Sequence, residues 1–267
     1  MQRSVPRISA SSYSNTAPLI WSFIYGPDRG KAELILDNAP ARSANLLMQD
    51  RVDAALVPVI ASQFIDDTYI FPGVCVGAKH QVKSVCLVTR NIGLDEVKSV
   101  SLDVSSRTSV VLTKIIFQEF IGRTPIWLDA KPDLETMLSQ ADAALLIGDP
   151  ALSTSRTEYR VFDLAEVWRS YTGLGFVFAM WMTRKKDNLL ELPDFRSVRD
   201  EGLQHLEDIA QNYASDIGLN SREMVEYLSS NITYTPDEKM LAGLDLYIKL
   251  AAKNGLTEKE MPISYIG

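Results

Sequence analysis

Histidine and cysteine are nearly absent from this chain, with two of each in 267 residues. Metal sites built on His/Cys spacing therefore have nothing to build on. His205 lies on a charged helical face and reads as a solvated surface residue, while His80 sits in the turn Lys79-His80-Gln81-Val82-Lys83. Cys75 and Cys86 fall in separate apolar strands and read as buried free thiols. Long apolar runs are also missing: no window approaches the roughly 18 residues of a membrane helix. Met1 to Ser12 lacks the apolar centre of a signal peptide, so a cytoplasmic protein with no membrane partner is expected. Cations are outnumbered, 27 Lys and Arg against 34 Asp and Glu, for a net charge of −7. That balance disfavours nucleic acid, which needs a basic face. No Walker A loop, G-x-G-x-x-G after a strand, or G-x-S-x-G elbow occurs. No cofactor or metal is expected, and any catalysis must use hydrogen bonding, electrostatics or a carboxylate.

What is present is a globular composition, 46% hydrophobic and 23% charged, which leaves ample material for a core. Strand-like and helix-like segments alternate over the first two-thirds, the pattern of an α/β fold with a largely parallel sheet. A first strand spans Arg7 to Ala10, and a helix follows from Asn15 through Leu19, Ile20, Phe23 and Ile24 to a stop at Gly26. Pro18 is tolerable in its first turn, where N–H groups have no helical partner.

Two lobes are suggested by an internal echo. Asn45 to Val57 reads N-L-L-M-Q-D-R-V-D-A-A-L-V, and Glu135 to Leu146 reads E-T-M-L-S-Q-A-D-A-A-L-L. Each is a helix end, a polar turn and a D-A-A-L strand. Ser84 to Arg90 and Phe176 to Arg184 form a second matched pair, both apolar and both ending in Thr-Arg. These resemble the strands of a two-crossing hinge, dividing the chain into a discontinuous lobe of residues 1–88 and 184–267 and a second lobe of residues 89–183. The last third is helical. Val198 to Ile217 reads as one helix, and Thr235-Pro236-Asp237-Glu238 as a helix start with Thr as N-cap and Glu closing a capping box. Gly243 inside that helix costs about 1 kcal/mol against Ala, which calls for close packing.

The main candidate site is the turn after the strand ending at Val104. Ser105, Ser106, Arg107, Thr108 and Ser109 place hydroxyls and N–H groups at a helix N-terminus, a ready anion site, and Arg107 adds a planar cationic fork. A plain capping turn needs only one Ser. Ser12-Tyr13-Ser14-Asn15-Thr16 is the equivalent loop of the first lobe. Asn15 serves there either as an N-cap or as a donor into a cleft outside the strand ends. Ser84 and the pair Gly148-Asp149 could occupy comparable cleft positions, although turn or strand-edge roles account for them equally well.

Taken together, Ser12 to Leu19, Asp53 to Val59, Ser105 to Ser109, Ala143 to Asp149, and Trp168 through Thr172-Gly173-Leu174 to Ala179 resemble the chorismate dehydratase family of the futalosine route to menaquinone. The resemblance implies a type II periplasmic-binding-protein fold and conversion of chorismate to 3-[(1-carboxyvinyl)oxy]benzoate plus water without a cofactor. It implies catalytic roles for Asn15 and Ser84. Substrate contacts would come from Thr16, Ser106, Arg107, Thr108, Ser109, Gly148 and Asp149. Gly175 stands where the family often has Pro, which should loosen a loop, and His80 replaces a Gly in a turn near the cleft rim. Two other readings share the fold: a non-catalytic small-anion binding protein, and the sister enzyme forming 1,4-dihydroxy-6-naphthoate. The sister enzyme carries a His where this chain has Gly148-Asp149.

Overall fold

A computed structural model describes residues 5–184 and 192–266, so Met1 and Arg3 of the N-terminal stretch lie outside the described residues. Its strands are β1 (Arg7–Ser11), β2 (Glu33–Asp37), β3 (Ala54–Pro58), β4 (Tyr69–Ala78), β5 (Val85–Thr89), β6 (Ser99–Asp103), β7 (Ile126–Ala130), β8 (Ala143–Ile147), β9 (Arg160–Asp163) and β10 (Phe176–Thr183). They form two five-stranded sheets of orders β2-β1-β3-β10-β4 and β7-β6-β8-β5-β9. In each sheet the first three strands are parallel, and the fourth runs antiparallel to the third. No helix among the described residues is long and apolar enough to cross a membrane.

The echo has a structural cause. Both D-A-A-L strands, β3 and β8, are third in their sheets and buried at every position, as a strand covered on both faces must be. Each Asp stands one residue ahead of its strand and serves the strand beside it. Asp53 Oδ2 accepts the Arg7 N–H at 2.7 Å, and Asp142 Oδ2 accepts the Lys98 and Ser99 N–H groups at 2.9 and 3.1 Å. The carboxylates thus pair backbone donors that the start of a parallel strand leaves open.

The two Thr-Arg strands are also equivalent, as the fourth strands of their sheets, but they belong to different sheets. Limits drawn at 88/89 and 183/184 would cut through β5, which lies wholly in the second sheet, and would assign β10 to that sheet although it lies in the first. By sheet membership the chain passes across at 79–84 and again at 173–175, just ahead of each of these strands.

The C-terminal third departs from expectation in two places. The helical pattern over 198–217 is two helices, Phe195–Leu203 and Leu206–Ile217. His205 leaves helical geometry between them at φ −115° and ψ 26°, and its ring stacks on Trp21 at 3.6 Å between centroids. It is therefore a packed residue held between Asp208 and Glu201, not a freely solvated one. The last helix, Glu238–Lys253, is capped by Asp237 rather than Thr235. The Asp237 carboxylate accepts the Met240 N–H at 2.9 Å and leaves Pro236 outside the helix.

Gly243 does sit at a close approach. A Cβ built there would lie 2.1 Å from the Gly175 carbonyl oxygen. Gly175 is itself crowded by Met240, the Ala78 carbonyl and Lys79, so the second crossing is wedged against the last helix rather than loosened. His80 borders recesses shared with Arg169, separate from the residues that line the cleft between the sheets. Cys75 and Cys86 are buried free thiols on β4 and β5.

Candidate active site

The two expected loops face each other across the gap between the sheets. After β1 the chain makes a 3-10 turn, Ser14–Leu19, capped by Tyr13 without any side-chain hydrogen bond. Asn15 is thus inside the turn and is not its N-cap. It is 9% exposed and lines the cleft, with Oδ1 accepting from the Thr16 hydroxyl at 3.3 Å. Thr16 in turn is fixed by Ser11, hydroxyl to hydroxyl at 2.9 Å. The helix Phe195–Leu203 braces this turn from behind: a Cβ on Gly202 would collide with the Pro18 carbonyl. Only glycine lets the two backbones come so close.

After β6 the helix Arg107–Ile115 begins, capped by Ser106, whose hydroxyl accepts the Ser109 N–H at 3.3 Å. Among the described residues the N–H groups of Asn15, Arg107 and Thr108 have no acceptor. Asn15 thus lines the cleft together with Ser106, Thr108 and Ser109 at the start of this helix, where open N–H groups and the positive end of the helix dipole favour an anion. Apolar Leu56, Val76, Val85, Ile147 and Phe178 complete the walls. The cavity left is about 60 Å³. Small-molecule sites start near 300 Å³, so the lobes must part to take up a ligand.

Three carboxylates stand near this site, Asp103 and Asp163 buried and Asp149 half-buried, and burial raises the pKa of each despite the donors around it. Asp103 Oδ1 accepts the Ser105 N–H at 2.9 Å and its hydroxyl at 2.6 Å, while Oδ2 is buried without a partner. Asp149 reaches across the gap to Ser14, accepting its hydroxyl at 2.5 Å and its N–H at 3.2 and 3.3 Å. Beside that contact the Tyr13 ring lies flat over Gly148, whose φ is +63° and whose Cβ position the ring occupies. Asp163 accepts four N–H groups. Those of Ala165 and Glu166 start its own helix, and those of Val82 and Lys83 pin the first crossing just before Ser84.

The structure brings Asn15, Thr16, Ser106, Thr108, Ser109 and Gly148 to the cavity wall, and it places three expected residues elsewhere. Arg107 turns away and donates to Asn45 Oδ1 at 2.7 Å on the opposite lobe, so it braces the lobes. Asp149 is engaged by Ser14. Ser84 is fully buried behind the wall, its carbonyl accepting the Gly148 N–H at 2.7 Å and its hydroxyl near the Val82 carbonyl at 3.4 Å. Sequence reasoning missed Tyr13 as a wall and Asp103 beneath the turn, both of which lie within or beside the motifs already quoted.

Residues 6–253 match a family described by the words menaquinone biosynthesis. A chorismate dehydratase of Thermus thermophilus is 30% identical over 258 residues, covering 88% of this chain and 91% of that protein. A chorismate dehydratase of Campylobacter jejuni is 27% identical over 213 residues, covering 79% of this chain and 80% of that protein. Among solved structures, the periplasmic aliphatic sulphonate binding protein of Escherichia coli superposes with a TM-score of 0.65 at 17% identity, over 97% of this chain and 90% of that one. That likeness shows the fold, a periplasmic-binding-protein-like pair of α/β lobes. With nearly its whole length matched, the chain belongs to the menaquinone-biosynthesis family.

Proposed function

We propose that this protein is a chorismate dehydratase, a hydro-lyase that converts chorismate to 3-[(1-carboxyvinyl)oxy]benzoate and water. The observation that carries this reading is the donor set of the cleft. Its described polar lining is hydroxyl, amide and backbone N–H, with no carboxylate, imidazole, thiol or amine to act as a base. Dehydrating chorismate requires removal of a ring proton, and the substrate supplies its own carboxylate on the enolpyruvyl arm. The protein then needs only to position that group and to stabilise developing charge.

In this reading Asn15 holds the enolpyruvyl carboxylate and polarises the departing hydroxyl, and Ser84, buried behind the wall in this closed form, joins it once the lobes part to admit substrate. The open N–H groups at Arg107 and Thr108, with the Ser106 and Ser109 side chains, receive the ring carboxylate. The electron pair of the broken C–H bond becomes ring π bond, and the C–O pair leaves on oxygen. The abstracted proton ends on that oxygen as water. We also propose a cytoplasmic location, with which the free thiols of Cys75 and Cys86 are compatible.

The test is to incubate purified protein with chorismate and follow the aromatic enol ether by chromatography. Tight binding without turnover would favour a solute-binding role, which the fold also allows. Asn15→Ala should lower kcat by about 100-fold or more while changing substrate affinity little, the signature of a donor used in the transition state. An unchanged kcat would sink the assignment of Asn15.

A further inference from the structure

Tyr227 begins a π-helical turn, Tyr227–Asn231, that continues the helix Ser221–Glu226. It is 1% exposed, and its hydroxyl lies against Ser84 and Asn15 without a hydrogen bond of good geometry to either. A sealed, unpartnered hydroxyl is costly, and phenylalanine would fill the same space without that cost. What the hydroxyl faces supplies a reason. The Ser84 hydroxyl and the Asn15 side chain both approach it, one from the first crossing and one from the 3-10 turn.

The placement is held from both ends of the turn. Asn231 Nδ2 donates to the Gln81 carbonyl at 3.4 Å, and Lys83 Nζ lies 3.9 Å from Glu226. The turn is thereby tied to the crossing segment that carries Ser84. In this arrangement the Ser84 hydroxyl lies 3.4 Å from the Val82 carbonyl and beside the Tyr227 hydroxyl.

We propose that Tyr227 is a positioning residue for the dehydration, its hydroxyl donating to Ser84 and meeting the Asn15 amide so that both aim their donors at the substrate. The proposal rests on the dehydratase reading above. A tyrosine hydroxyl donates once and can accept twice, enough to serve both neighbours together. By donating to Ser84 Oγ it turns the serine proton outward, toward the enolpyruvyl carboxylate and the departing oxygen. Tyr227 exchanges no proton in the sum: the ring proton still ends in the water released. Burial keeps the phenol un-ionised, raising its pKa well above the ordinary value, so it remains a donor at every working pH.

Tyr234 provides an internal control, since it too is buried with an unpartnered hydroxyl but has Tyr227 and Cys75 as its electrostatic neighbours. The experiment measures kcat, KM and melting temperature for Tyr227→Phe, Tyr234→Phe, Ser84→Ala and the Tyr227→Phe/Ser84→Ala pair. The expected result is a fall in kcat of about tenfold to a hundredfold for Tyr227→Phe with KM little changed. Its melting temperature should be unchanged or higher, and Tyr234→Phe should keep wild-type kcat. Adding Tyr227→Phe to Ser84→Ala should cost less than it does alone, because the two act as a unit. A wild-type kcat for Tyr227→Phe, an equal loss in Tyr234→Phe, or full additivity with Ser84→Ala overturns the proposal. Wild-type protein inert toward chorismate overturns the reaction assignment instead and removes this proposal with it.

Discussion

Removing the Asp149 carboxylate tests whether the Ser14 contact is a latch between the lobes. The contact comprises the Ser14 hydroxyl at 2.5 Å and its N–H shared between both carboxylate oxygens at 3.2 and 3.3 Å. Each hydrogen bond contributes about 1 kcal/mol net of the water that both partners regain when the lobes part. The Ser14 hydroxyl and N–H together therefore favour closure by about 2 kcal/mol, while the burial that raises the Asp149 pKa opposes its ionised form. At 1.4 kcal/mol per tenfold, Asp149→Ala should shift the closing equilibrium by about 30-fold toward open. If catalysis occurs only in the closed form, kcat/KM should fall by about that factor. Small-angle scattering should show a larger radius of gyration in the variant. Unchanged kcat/KM together with unchanged scattering would refute the latch.

The pH dependence of the latch has a definite sign. Burial raises the Asp149 pKa above its ordinary value, against the lowering effect of Ser14. The closed form therefore holds a proton more tightly than an open form in which the group is solvated. That contribution to closure is fully present below the ordinary carboxylate pKa and is lost as pH rises through the raised value. The Tyr13, Tyr213 and Tyr227 hydroxyls lie close enough to feel the same charge, but all three have raised pKa values and stay neutral in this range. Asp149→Asn imitates the protonated acid, so its KM should lose this dependence on mildly acidic pH.

Two further outcomes follow from the contacts. Gly243→Ala drives a Cβ into the Gly175 carbonyl, which backbone cannot easily avoid. The loss should be about 2 kcal/mol despite the better helix propensity of Ala, read as a melting temperature lower by several degrees. Arg107→Ala removes one hydrogen bond to Asn45, about 1 kcal/mol, so KM should rise about fivefold with kcat preserved. A hundredfold rise would instead place the guanidinium on the substrate.

The parts of the fold that were legible share one property: their cause is local. The D-A-A-L echo marks third strands because each Asp serves the strand beside it and each apolar run is covered on both faces. The hydroxyl-rich turn marks a helix start because a cap must lie there. What was not legible depends on groups far apart in sequence. Arg107 and Asp149 look like ligand contacts until Asn45 and Ser14 are brought to them from the other lobe. The helix break at His205 is set by Trp21, and the place of Gly175 by Gly243. Asn15 could be assigned to the cleft from its loop, but Tyr227 behind it could be found only from the packed structure.

The disposition of charge fits the proposed chemistry in a way that a count of charges would not suggest. Charge counting alone would have a chain of net charge −7 line a dianion-binding cleft with Arg and Lys. Here the one cation in the binding turn, Arg107, is spent on Asn45, and the cleft presents hydroxyls, an amide and backbone N–H groups. A carboxylate paired with Arg loses about 1–3 units of pKa, and with it the capacity to take a proton from carbon. Neutral donors orient the same group at a smaller loss of basicity. If the substrate carries the base, a cleft without facing cations is the arrangement that preserves it. The nearby acids are kept from opposing the substrate by the same economy. Asp103 is turned to Ser105, Asp149 to Ser14, and Asp163 to four backbone N–H groups, so that among the described residues no carboxylate lines the cavity wall.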